Sequence, residues 1–101
     1  MAIQRDNAER IREAIHFRDA FRIASMSGEP KRPGNRIAMN RLPIEHADSV
    51  TAAEYVVYSY ATAIAWWSED DGWTVPDVYH SVTTSNHQGI AKVGIEHGRL
   101  S

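Results

Sequence analysis

The chain predicts an α+β fold in which an N-terminal helix, an antiparallel sheet of three to five strands around one long central hairpin, and a C-terminal helix pack together. Three observations carry that expectation. Ile11 and Ile15, with Ala8 and Ala14, place apolar groups at helical spacing near the start of the chain. Tyr55 to Trp67 alternates aromatic and β-branched residues, and Asp71-Gly72 follows as a hairpin turn signal. Ser85 and Gln88 fit the S/T-x-x-E/Q capping box just ahead of a last helical stretch.

The elements follow in order. Asn7 suits a helix N-cap, and no Gly or Pro interrupts the chain before Gly28. Helical spacing therefore covers residues 5–17, within an N-terminal helical unit of 1–18. Near Asp19 the period changes from helical to alternating: Phe17, Asp19, Phe21, Ile23 and Ser25 suit a strand. Residues 27–35 are loop by composition. Ile37 and Met39 suggest a short strand, and Pro43 marks 42–49 as a connector.

Residues 55–67 are long for one strand, so a bulge or a strong bend is expected near Tyr60–Thr62. Residues 68–72 form a hairpin loop and Trp73–Val75 the returning strand. Val78–Val82 is a further short strand candidate. A helix then runs from Asn86 to His97, with Gly98 as its C-terminal stop. Gly89 and Gly94 weaken this helix and suggest a close approach to the sheet. The division is one α+β domain over 1–101, with helices in 1–18 and 83–98 flanking a β-rich 19–82.

Composition removes several functions. The 101 residues contain no cysteine, which excludes disulfides and thiol chemistry and fits a reducing compartment. The longest strongly apolar run, Ala61–Trp67, is far short of the roughly 20 residues that span a bilayer. The first residues lack the apolar core of a signal peptide. The expected setting is the cytoplasm, with no membrane partner. Charge is uneven: nine bases oppose six acids in 1–45, and two bases oppose seven acids in 46–101. A basic face for nucleic acid is one reading. A solvated helix face with i,i+4 pairs is the stronger one.

No catalytic constellation is visible. His80 and His87 with Asp70, Asp71 or Asp77 offer metal-ligand types without a diagnostic spacing, so no metal and no cofactor is expected. Thr84 and Ser85 beside His87 are too close along one helix start to act as nucleophile and base. Glu69-Asp70-Asp71 reads as a solvated turn. The expectation is a protein that is not an enzyme.

The aromatics are the remaining signal. Trp66 and Trp67 are adjacent in a strand and must point to opposite faces. Tyr58, Tyr60, Trp66, Trp67 and Trp73 are candidates for a partner-binding or self-associating sheet surface, since exposed Tyr and Trp favour interfaces. The competing readings are plain core, which is favoured for the face of Tyr58, Tyr60 and Trp66, and base stacking. Lys31, Arg32 and Arg36 form a basic loop suited to phosphates, which is the nucleic-acid alternative.

The pieces Tyr58-Ser59-Tyr60-x-Thr62-x-Ile64-Ala65 and Thr83-Thr84-Ser85-x-His87-Gln88 resemble small proteins of actinobacteria and their bacteriophages with an SYxTxIA…YSxTTSxHQ pattern. Phe21-Arg22-x-x-Ser25-Met26-Ser27-Gly28 and Arg41-Leu42-Pro43 resemble further parts of it. The likeness spans roughly residues 21–88. Here Tyr79-His80-Ser81-Val82 stands where those proteins often have Tyr-Ser directly. The resemblance implies a phage or prophage origin and a shared fold, and no reaction.

Overall fold

A computed structural model describes residues 5–76 and 82–97. The helix α1 spans Arg5–Phe17 and buries Ala8, Ile11 and Ile15, the stripe expected from their spacing. It ends in a Schellman motif: the Arg18 amide donates to the Ile15 carbonyl and the Asp19 amide to that of Ala14. Arg18 takes the left-handed conformation that such an ending requires, with φ of 57°. The change of period near Asp19 thus falls where the sequence places it.

Five antiparallel strands form one sheet in sequence order: β1 (Phe21–Ile23), β2 (Met26–Pro30), β3 (Tyr55–Ser59), β4 (Thr62–Ser68) and β5 (Gly72–Thr74). The helix α3 (Val82–His97) lies with α1 on one face. A 3-10 turn (Ile44–His46) and the short helix α2 (Ala47–Thr51) connect β2 to β3. The α+β architecture is as expected.

Three differences from the sequence reading have physical causes. The alternating stretch 17–25 is broken by a two-residue turn, because Ile23 pairs with Met26. Gly28 and Pro30, residues poor in strands, lie inside β2 and not in a loop. Gly28 fits because the Phe21 ring and the Tyr55 hydroxyl lie over it where a Cβ would be. Residues 37 and 39 form no strand, and α2 replaces part of the expected connector.

The start of the last helix also differs from the capping-box position. The helix α3 starts at Val82, so Ser85 stands within its first turns. Gln88 Nε2 instead donates to the carbonyls of Ile64 and Pro76. Gly94 serves the crossing of the two helices, since a Cβ there would meet the Arg12 carbonyl at 2.9 Å. Gly89 faces open space. The expected strand at 78–82 and the stop at Gly98 lie outside the described residues, apart from Val82.

The sheet is covered on both faces. On the helix side Ile11, Ile15, Met26, Tyr55, Val57, Ile64, Ala65 and Ala91 form the first core. On the other side Leu42, Val50, Ala53, Val56, Ala63 and Trp66 form the second. Each apolar strand residue therefore finds a core on whichever face it points to, which explains the near-continuous apolar runs at 55–57 and 63–66.

Candidate functional site

The end of the sheet holding the β1–β2 and β3–β4 turns gathers the least ordinary features of the molecule. Both turns have two residues, Ala24-Ser25 and Tyr60-Ala61. Ala24 and Tyr60 open them with φ of 54° and 56°, in the left-handed region that costs an L-residue about 1 kcal/mol. The two turns are tied together, for the Tyr60 amide donates to the Ser25 carbonyl at 2.7 Å. Asn40, also left-handed with φ of 48°, donates its side-chain amide to the Ala61 carbonyl.

Between the turns lies an open cleft of about 240 Å³ lined by Arg22, Ala24, Ser25, Met26, Ser27 and Tyr60. Tyr60 is 58% exposed. Its ring tilts over His87, with centroids 5.9 Å apart. Below it, Ser59 Oγ and His87 Nδ1 share a hydrogen bond of 2.7 Å. Ser59 is 1% and His87 2% exposed, so this serine–histidine pair is closed to solvent and clasps β3 to α3.

His87 Nε2 is buried without a hydrogen-bond partner. An imidazolium would place a second N–H there with no acceptor. Burial pushes the His87 pKa below its ordinary value. The sign follows: the unfolded chain takes up this proton near the ordinary pKa of 6.5, the folded chain only at lower pH. Stability is therefore held above pH ~6.5 and lost as pH falls below it, by up to ~1.4 kcal/mol per pH unit until the folded value is reached. Urea midpoints at pH ~7.5 and ~5.5, on either side of that value, should differ more for the native chain than for His87→Asn. Equal losses in both would show that His87 does not drive the acid sensitivity.

Residues 17–92 match a family of unknown function, DUF8033. The chain belongs to this family. Neither curated proteins nor solved structures give a significant match. The DUF8033 match contains the whole sheet, both tight turns and His87, and leaves most of α1 outside.

Within this DUF8033 chain the five aromatic candidates do not share a surface. Trp66 is 1% exposed in the second core, and its Nε1 donates to Ser49 Oγ. That burial corrects its assignment to a binding face. Tyr58 is half-buried on the same core, and burial followed by the nearby Glu29 raises its phenol pKa to about 12. Trp67 and Trp73 pair across β4 and β5 on the helix side. The Arg18 guanidinium covers Trp67 at 4.0 Å from the ring centroid, and Trp73 packs edge-on against Tyr55. Trp66 and Trp67 do face opposite ways, as adjacency in a strand requires. Tyr60 is the one aromatic of the five that stands well into solvent.

The basic loop divides as well. Lys31 is not a free cation: its Nζ donates to the carbonyls of Arg32, Thr51 and Ala53 and so closes the C-terminal end of α2. Arg32 and Arg36 are exposed. Asp70 and Asp71 lie at an exposed hairpin tip, and the described residues contain no cluster suited to a metal. His80 and Asp77 lie outside the described residues. The Ser59–His87 clasp has no signature in sequence spacing, since the partners stand 28 residues apart.

Proposed function

We propose that this DUF8033 member is a small non-enzymatic accessory protein of phage or prophage type that binds a protein partner in the host cytoplasm. The contact surface is the turn end of the sheet, with Tyr60 at its centre and Arg22 beside it. One observation carries this reading: a large aromatic side chain is held 58% exposed on a left-handed residue, where Gly or Asn would be easier. Backbone strain kept at an exposed aromatic is a mark of function. Tyr and Arg are also the residues most often found at the energetic centre of protein interfaces.

The phage-type origin rests on the sequence resemblance. Its separate pieces meet here: Arg22, Ser25, Ser27 and Tyr60 line the cleft, and His87 lies under the Tyr60 ring.

Tyr60→Gly tests the reading because it removes the ring while easing the backbone. Thermal stability should stay within about 1 kcal/mol of the native value. Stoichiometric capture of a protein from host lysate, resistant to nuclease, should be lost. Capture unchanged by Tyr60→Gly would sink the proposal. Nucleic acid in the captured material, with proteins released by nuclease, would favour the exposed Arg32 and Arg36 of the basic loop instead.

A further inference from the structure

The cleft between the two tight turns carries more chemistry than its aromatic edge. Arg22 is the exposed middle residue of β1, an edge strand of the sheet. It pairs across the strands with Ser27, so the two side chains share one face. Ser25 in the β1–β2 turn and Tyr60 in the β3–β4 turn complete the polar lining. The side chains of Arg22, Ser25, Ser27 and Tyr60 make no hydrogen bond or ion pair among the described residues. Arg22 is also the only charged side chain among the described lining residues. The one acid of β2, Glu29, is not part of that lining. A guanidinium with hydroxyl donors around it, in a lining free of carboxylates, is arranged to receive an oxyanion.

Charge decides which one. Arg22 supplies a single positive charge, and its planar fork matches the two oxygens of a carboxylate. A phosphorylated side chain carries about −1.5 to −2 and is met by clusters of arginine. A nucleic-acid strand needs a row of cations along its backbone. The described lining offers one cation. A volume of about 240 Å³ takes a side chain and not a folded segment. The Tyr60 ring gives the methylene stem of that side chain an apolar wall.

We infer that this cleft receives the carboxylate of an aspartate or glutamate side chain, held by the Arg22 guanidinium and the hydroxyls of Ser25 and Ser27. This carboxylate belongs to the partner protein of the surface proposed above, on which the assignment rests.

Titration of the isotope-labelled full chain with N-acetylglutamate N-methylamide, followed by NMR, tests this. The amides of Arg22, Ser25, Ser27 and Tyr60 should shift and saturate in the millimolar range. The neutral glutamine counterpart should bind at least about tenfold more weakly, and inorganic phosphate no more tightly than the carboxylate probe. Arg22→Gln should weaken the glutamate probe by at least about tenfold with an unchanged thermal midpoint, because the residue is exposed.

No saturating shift at these amides would overturn the assignment. So would equal binding of the glutamine probe, tighter binding of phosphate, or Arg22→Gln binding like the native chain. The partner surface fails separately. Lysate capture lost in Tyr60→Gly but kept in Arg22→Gln would leave that surface standing and remove the acidic group from it. A probe that binds through Arg22 while capture ignores Tyr60→Gly would keep the carboxylate site and remove the partner surface.

Discussion

Trp66→Ala is expected to remove about 4 kcal/mol of stability, the middle of what truncating a buried aromatic costs. Trp66 is the largest of the fully buried side chains and fills the space under α2 against Val50, Ala53 and Leu42. Its indole N–H also holds Ser49 Oγ at 2.8 Å, and His46 packs edge-on against the ring. A domain of this size typically has ~5–15 kcal/mol in total. The loss corresponds to a thermal midpoint lower by roughly 20 °C.

Trp66→Phe separates the two contributions. It keeps most of the ring volume and gives up the hydrogen bond, so a cost of about 1–2 kcal/mol is expected. Calorimetry or urea unfolding reads both. A loss under about 1 kcal/mol for Trp66→Ala, well below the usual cost of a buried tryptophan, would mean that this residue is not the keystone of the second core.

Gly28→Ala is expected to cost about 3 kcal/mol, a large effect for one methyl group. The added Cβ would run into the edge of the Phe21 ring and into the Tyr55 hydroxyl. The Tyr55 hydroxyl does not yield easily. Tyr55 is buried, and its hydroxyl donates to the Asp19 carbonyl at 2.6 Å, which anchors the end of α1 to the sheet. Burial, then the nearby Asp19, pushes the Tyr55 phenol pKa up, so the hydroxyl stays a donor throughout the neutral range. Phe21→Ala should relieve part of the collision, so the two substitutions together should cost at least about 1 kcal/mol less than their sum. Strict additivity would place the source of the Gly28 requirement elsewhere.

Several elements are readable from local pattern alone. The buried stripe of α1, its end near Asp19, the Asp71-Gly72 hairpin and the opposite facing of Trp66 and Trp67 all follow from spacing over a few residues. A C-terminal helix is readable too, although its start is not. The candidate site is much less visible. Tyr60 is among the aromatic candidates, but nothing local separates it from Trp66, Trp67 and Trp73, which the fold covers.

The hidden hairpin within 55–67 has a specific cause. A two-residue turn at Tyr60-Ala61 reverses the in–out phase of the chain, since Ser59 pairs with Thr62. A bulge restores it: Val57 pairs with Ala65 but Tyr58 with Ala63, which leaves Ile64 extra. The two phase changes cancel, so Tyr55 and Trp67 lie on one face as an unbroken strand would place them. Alternation sees one long strand where there are two. The turns are also written with Ala, Ser and Tyr instead of Gly or Asn, so the usual marks are absent.

The sequence by itself determined the α+β class, the amphipathic first helix and the exclusion of thiol and disulfide chemistry. These depend on composition and on periods of a few residues, which one chain displays without folding. The tertiary structure alone decided the strand β2 through Gly28, the helix α2 and the meeting of Ser59 with His87. At five residues, α2 has no side-chain cap at its start and cannot hold itself in isolation. It exists because Lys31 closes one end and Trp66 fills the space beneath. Such arrangements are set by partners tens of residues away, whose proximity costs chain entropy that only the assembled core offsets.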